Sequence, residues 1–511
     1  MATLTSLYDK VQPSEGPYST LVFIKGNKIV AQKSDGTLIA SGVAGIDDMN
    51  VLQNAINSLG TIFIKNGNYT ISSGLTIPTK TRIIGESRTQ TVFTITAAIT
   101  GFTCDDFAQN IFIENCTIKS NRSQVCTGIH TGNATLTTKI KDVVFDSING
   151  RAIEIQTSWI VRIENCQFAY CGNISKSLAA LECNVGPEDA TYVTIIGCEF
   201  EPNYYQDISS TYKVQKLIIE DCWFEGENVD GTHYPTDCHI FFGLQAGSGP
   251  TAIRDCFFYD ASGAKCSFLK SGTNLVSNIT LVDNHGSCTS SGYAIDFPNV
   301  DHLKIRGNGF SSAKCLLNIG AISDRITITE NFFTGGENGN YLLYIDGITD
   351  GVAVIANNII KPGIGAFDLY IHGRHVKLID NDLTSKVTID ACQNVLVEGN
   401  THDAMTLMVT NIKNLKILNN FGRSSATMII INNGSSGVII KGNTGYITEA
   451  TGSSTGIGID KAIAHGLAQV PTKVWIIPKS AGTTVSDIWL DASYIHCTVT
   501  TGKSFNWTVE V

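Results

Sequence analysis

The sequence predicts an all-β fold, a parallel β-helix of about fourteen coils with an N-terminal capping helix and a small C-terminal β-sandwich. Three observations carry this. A length of 511 residues exceeds what one compact core usually holds, so an elongated repeat or several domains is expected. Gly, Ser, Thr, Asn and Ile are plentiful at the expense of helix formers, and only 16 % of the chain is charged. The segments IENCTI, IENCQF, IIGCEF, IEDCWF, IRDCFF, IRGNGF, ITENFF and LIDNDL align as one strand and its following bend, repeated along most of the chain.

The shared column of that repeat runs Cys116, Val143, Cys166, Cys198, Cys222, Cys256, Asn284, Asn308, Asn331, Asn357, Asn381, Asn400, Asn420 and Asn443, most often in steps of 23 or 24 residues. Such a period, with no helical pattern between short β segments, fits one turn of a solenoid rather than a βαβ unit. Leucine-rich repeats lack support because their Leu and Asn spacing is missing. Stacked coils lie about 4.8 Å apart, so the Asn residues are expected to hydrogen-bond amide to amide along the axis. The Cys residues fill the same slot as small buried hydrophobes. No CxxC pair with zinc-finger spacing accompanies the 15 cysteines, so they are read as core thiols.

A net charge of −10 without a Lys/Arg cluster argues against nucleic acid as a partner. The N-terminus MATLTSLYDKVQ has no basic n-region followed by an apolar stretch, and no apolar run is long enough to span a bilayer. The expectation is a protein without signal peptide, transmembrane segment or membrane insertion.

Three regions are expected: a hairpin and capping helix over 1–60, the coils over 61–445 and a C-terminal domain over 446–511. In the first, STLVFIKGNKIVAQKSDGTLIASG reads as two strands around a turn. Asp47 or Asp48 then caps an amphipathic helix through Val51, Leu52, Ala55, Ile56 and Leu59. This cover protects the exposed strand edges at a solenoid end. After Gly445 the small-residue linker ITEATGSSTGIG ends the ladder, and the remaining text alternates apolar and polar residues as an antiparallel sandwich does.

The capping helix followed by G-x-I-x-I-x-x-G-x-Y-x-I, an L-x-I-P run and an I-x-G-E bend resembles the entry into the pectate-lyase-like right-handed parallel β-helix superfamily. The resemblance covers residues 45–445 and implies fold far more than activity, since that superfamily holds lyases, glycoside hydrolases, epimerases and viral tailspikes. The paired Asp, GHG and RIK set of polygalacturonases is absent; Asp105 and Asp106 form an isolated pair, which disfavours plain pectin hydrolysis. The C-terminal I-x-H-G-L, P-x-x-V and F-x-W-x-V-E-V resemble the C-terminal domains of viral tail fibres and spikes. That resemblance implies a homotrimeric appendage on the virion surface or otherwise extracellular, meeting other virion tail proteins.

Candidate functional residues come from a second aligned strand, GIHT, AIEIQ, ALECN, DISS, CHIFF, AIDFP, LLNIG, LLYIDG and DLYIHG. Alternation of side chains gives an outward column of His130, Glu154, Glu182, then Ser209 or Asp207, His239 or Phe241, Asp296, Asn318, Tyr344 and Tyr370. Glu154 and Glu182 fall on adjacent rungs, matching the carboxylate spacing of a retaining glycosidase, whereas Glu154 with Asp207 would suit inversion. Like-charge proximity is expected to raise one of these pKa values and supply a general acid. Glu154, Glu182 and Asp207 are thus the candidate catalytic residues.

Two long steps, Cys166 to Cys198 and Cys222 to Cys256, imply inserted loops beside this column. Trp159, Trp223, Tyr204, Tyr205 and Tyr234 fall in the same coils and suit sugar faces. Arg151, Arg162, Lys176, Asp230, His233 and Asp237 add polar groups, and Tyr344 with Tyr370 form a second platform. The leading reading is a tailspike-like protein that binds and cleaves a host-surface polysaccharide by glycoside hydrolysis. A non-enzymatic receptor-binding or structural spike is the alternative. A polysaccharide lyase, using His233, Tyr234 and Arg162, is the third. No Asp-rich calcium cluster stands out, so neither metal nor cofactor is expected.

Overall fold

The computed structural model describes residues 18–183, 190–212, 214–226, 238–245, 249–260, 267–273, 275–288, 293–312, 314–320, 325–336, 339–403, 406–423, 428–431, 436–444, 449–464, 471, 473–491 and 494–510. It is mostly β, with 62 % strand wound into a β-solenoid of about 13 turns. The chain divides into two compact units, Met1–Ile319 and Gly320–Val511.

In the first unit each coil carries up to three strands, one on each of three sheets. Face I is exemplified by Thr127–Thr131, Ile153–Ile155 and Leu181–Cys183, face II by Thr138–Lys141, Ile160–Glu164 and Ala190–Ile196, and face III by Val144–Asp146, Gln167–Ala169 and Glu199–Phe200. All pair in parallel with the next coil. Alternation puts every second side chain inside, and the interior of face III becomes a pile of rings. Phe145, Phe168, Phe200, Phe224 and Phe258 stack at centroid distances of 5.0, 4.6, 4.9 and 4.8 Å, close to the spacing of the coils themselves.

The bend between faces II and III explains the repeated sequence. One residue before the ladder position, the backbone is left-handed at Asn115, Asp142, Asn165, Gly197, Asp221, Asp255, Asp283 and Gly307, with φ between 51° and 69°. Gly, Asn and Asp tolerate that conformation best, which is why the repeat reads N-C, G-C, D-C, D-N or G-N. The ladder residue that follows turns inward. Cys166 Sγ donates to the carbonyls of Glu164 and Ile140 at 3.3 and 3.7 Å, and Cys198, Cys222 and Cys256 repeat the pattern. Asn284 takes over, donating to the Ile253 carbonyl and bonding Asn308 Oδ1 at 2.9 Å. Cys and Asn are interchangeable here because both offer a short donor to the same carbonyls.

At the front the segment makes three strands rather than the expected two: Thr20–Lys25 pairs antiparallel with Lys28–Lys33, which pairs antiparallel with Leu38–Val43, and Thr20–Lys25 also pairs parallel with Gly60–Ile64, so it extends the first face II rung and covers its edge. The helix Asp48–Asn57 buries Val51, Leu52, Ala55 and Ile56. Two further expectations are corrected. Neither Asp47 nor Asp48 makes a side-chain N-cap bond: Asp47 instead accepts from Val43 N, and buried Asp48 accepts from Gly45 N and Thr70 N. Leu59 lies beyond the helix, left-handed at φ 64° and exposed, and is not part of its apolar face.

The second unit continues the same three-faced pattern. Its ladder runs Asn331, Asn358, Asn381, Asn400, Asn420 and Asn443, each side-chain amide bonded to the next Oδ1 at 2.8 or 2.9 Å. The ladder member is therefore Asn358, not Asn357; Asn357 is the left-handed residue before it, at φ 57°. The same bend position is left-handed at Glu330, Asp380, Gly399, Asn419 and Gly442. Glu330 alone departs from the Asn/Asp/Gly rule, so Glu330→Asn is expected to stabilise the second unit by about 1 kcal/mol. An unmoved urea midpoint would contradict this.

Six strands within 449–510 form two three-stranded antiparallel sheets. One orders Glu449–Thr455, Ser504–Glu510 and Lys473–Pro478; the other orders Asp460–Ala464, Tyr494–Val499 and Val485–Leu490. Their inward residues Ile495, Cys497, Val499, Phe505, Trp507 and Val509 make one core.

Candidate functional site

Face I of the first unit aligns the outward residues rung by rung. His130 pairs with Glu154, Glu154 with Glu182, Glu182 with Ser209, Ser209 with Phe241, Phe241 with Lys270, and Lys270 with Asp296. The two glutamates thus occupy neighbouring rungs of one flat sheet. Arg151, in the bend before Ile153–Ile155, reaches up between them: Nε bonds Glu182 Oε2 at 2.5 Å and a terminal nitrogen bonds Glu154 Oε2 at 3.4 Å. Thr211 Oγ1 donates to Glu182 Oε1 at 2.7 Å, and His130 Nδ1 lies 3.6 Å from Glu154 Oε1. The result is one polar cluster: Glu154, Arg151, Glu182 and Thr211 are joined by hydrogen bonds, and His130 stands at ion-pair distance from Glu154.

Its electrostatics differ from the expected carboxylate pair. Burial pushes Glu154 up, but hydrogen bonding to His130 and the charge of Arg151 outweigh it and hold the carboxyl below its ordinary range. An interposed guanidinium replaces carboxylate repulsion with attraction, so no raised general acid arises at Glu154. Because this pKa is depressed on folding, its stabilising contribution is present above the ordinary carboxylate range and is lost as pH falls through the folded value.

Asp207 is not on this surface. It is fully buried, with Oδ1 accepting from Asn203 Nδ2 at 2.7 Å and Oδ2 2.5 Å from His239 Nδ1. His239 is buried too, its ring tilted against Phe224, Phe258 and Phe268. Burial raises the Asp207 pKa, against the pull of His239 and Asn203. Ser209 and Phe241 hold the outward positions instead, so Asp207 cannot pair with Glu154 across a water.

The remaining candidates scatter because three faces interleave in the sequence. Trp159 is 55 % exposed at the bend leading from face I to face II. Arg162 is on face II, paired with Glu164. Trp223 is on face III, stacked on Phe257 at 4.5 Å. Tyr204 is half-buried, with the Arg122 guanidinium 3.6 Å over its ring, and Tyr205 is half-buried beside it. Arg122 also donates to the carbonyls of Tyr170, Gly172 and Ile148, so it staples the bends there. Lys176 ends a short 3-10 turn, Ile174–Lys176, capped by Asn173. Asp230, His233, Tyr234 and Asp237 lie outside the described residues.

Tyr344 and Tyr370 belong to face I of the second unit, stacked at 4.9 Å and 9°. Tyr344 Oη donates to Asp346, which pairs with His372 Nδ1 at 2.6 Å. Burial pushes Tyr370 up to about 12. Sequence reasoning missed Lys270 and Thr211 on the column. The alternation in SFLKS carried the signal for Lys270; nothing in the sequence marks Thr211.

No family model and no curated protein matches this chain. Solved structures that resemble it include a surface adhesin of Streptococcus pneumoniae, PfbA, at 14 % identity and TM-score 0.45, covering 71 % of this chain and 88 % of that one. A tailspike protein of the Escherichia coli bacteriophage HK620, in complex with a hexasaccharide, is 13 % identical at TM-score 0.44, covering 93 % and 91 %. The tailspike protein gp49 of Pseudomonas phage LKA1 is 11 % identical at TM-score 0.39, covering 91 % and 93 %.

Proposed function

We propose that this protein is a tailspike-type β-helix that binds a host cell-surface polysaccharide on face I of its first unit. The observation that carries the reading is the in-register column His130, Glu154 and Glu182, locked by Arg151 and Thr211. Glu154, held ionised, and the Arg151 guanidinium offer a preset acceptor and donor to sugar hydroxyls, while Glu182, only 6 % exposed, holds Arg151 in place, so little side-chain entropy is left to lose. Trp159, 55 % exposed at the bend that follows the Glu154 strand, adds apolar surface to the same coil.

One observation favours cleavage as a second reading: two carboxylates on rungs about 4.8 Å apart have the spacing of a retaining pair. Glu154, held ionised, would then be the nucleophile and Glu182 the partner carboxyl group. Arg151 opposes this, since it pairs with both. The test is a screen of the purified protein against host surface polysaccharides, reading binding, reducing ends and unsaturated-uronate absorbance. Binding without product supports the first reading. Reducing ends lost in Glu154→Gln or Glu182→Gln would replace it with hydrolysis, and new absorbance with a lyase.

Homotrimeric assembly on a virion belongs to the same proposal, supported by the C-terminal sequence resemblance and by Trp475, Ile477 and Trp489, which stand exposed on the terminal sheets. Light scattering of the full chain is expected to give three times the monomer mass; a monomer would contradict it.

A further inference from the structure

We infer that the outer surface of face II in the second unit is a separate groove for a linear acidic polysaccharide, held by Lys377 and Lys416. A groove of about 1130 Å³ runs there across five successive rungs. Its middle row is Lys377, Leu396, Lys416 and Ile439, in register from coil to coil. Beside it runs a row of bonded polar groups: Asn394 Nδ2 meets His375 Nδ1 at 2.8 Å, and Asn414 Nδ2 donates to Asn394 Oδ1 at 3.0 Å.

Both lysines are exposed, and among the described residues neither has a carboxylate partner: Glu398, the one acid in the groove lining, pairs with neither, although the chain as a whole carries a net charge of −10. Two unpaired cations two rungs apart, about 10 Å, ask for an anion with a repeating charge. The rows follow the stacking direction, so the ligand must be extended. Leu396 and Ile439 alternate with the lysines and present apolar surface to the C–H faces of sugar rings, while the amide row meets hydroxyls. A peptide strand fits poorly, because strand addition needs a free sheet edge and this is the flat side of paired strands. The groove lies in a different unit and on a different face from the Glu154 cluster, and it does not depend on that reading.

The test uses the full chain and two probes, polygalacturonate decamers and neutral dextran of matched length, titrated calorimetrically at low and high salt. The wild type is expected to bind the acidic oligomer only, and more weakly as salt screens the lysines. Lys377→Gln with Lys416→Gln, or Leu396→Glu alone, should each weaken binding at least about tenfold, the first by removing hydrogen bonds to charged groups and the second by setting a like charge against the ligand. Thermal midpoints should stay unchanged in these surface variants. No binding by the wild type, equal binding of dextran, or full affinity in both groove variants would overturn the inference. Loss of binding in Glu154→Gln would instead place the acidic ligand on face I and overturn it as well.

Discussion

Replacing Asn381 by Leu is expected to cost the second unit about 3 kcal/mol or more, because several buried polar groups lose their partners together. Asn381 is 1 % exposed. Its Oδ1 accepts from both the backbone N–H and the side-chain amide of Asn358, at 3.0 and 2.9 Å. Its Nδ2 donates to the carbonyls of Ile355 and Ile379 and to Asn400 Oδ1. Leu fills the volume and satisfies none of these. Asn381→Cys should cost less than Leu, because Cys198 and Cys222 donate to the equivalent carbonyls in the first unit. Denaturant titration of the two variants checks the order. Equal losses would mean that the column is held by packing and not by its hydrogen bonds.

The second large effect is a pH dependence at Asp368. This side chain is fully buried. Its Oδ2 accepts from the backbone N–H groups of Thr384 and Ser385 at 3.1 and 2.7 Å, while Oδ1 has no partner among the described residues. Burial pushes its pKa from 3.8 up to about 8, with Asp382 and Asp403 adding in the same direction. The folded state thus holds the proton more tightly than the unfolded chain. The contribution to stability is complete below the unfolded pKa and drains away as pH rises from near 4 through 8. A shift of that size is worth up to about 6 kcal/mol at alkaline pH. Asp368→Asn keeps an acceptor for the two N–H groups and removes the ionisation. Its melting temperature should exceed the wild type most at pH 9 and converge with it near pH 4; parallel curves would contradict the assignment.

Much of the solenoid was legible because one coil obeys a local rule many times over. The Cys and Asn column, the strand before it and the outward row through His130, Glu154 and Glu182 all follow from period and alternation, and the structure pairs them in register. The slip at Asn357 has a specific cause. Two adjacent Asn residues fit both the left-handed bend and the ladder slot, and only the rule that the bend residue comes first separates them.

The chemistry of the candidate site was less readable. Alternation cannot show that Asp207 and His239 turn inward as a buried pair, because an ionisable residue inside a coil looks like one outside it. Nor does proximity in sequence predict proximity in space: Arg162 and Trp223 each follow a face I strand of the same coil yet sit on faces II and III. Arg151 was visible as a nearby cation, but its place between the two glutamates depends on the bend that aims it, and that placement lowers Glu154 rather than creating an acid.

The most direct test of the central claim is the affinity of Glu154→Gln and Glu182→Gln for the polysaccharide that the wild type binds best, with thermal midpoints recorded on the same samples. The account predicts at least about a tenfold loss of affinity in each variant, as expected when a charged hydrogen-bond acceptor is neutralised, with the coils still folded. Wild-type affinity in both variants would show that face I of the first unit is not where the sugar sits.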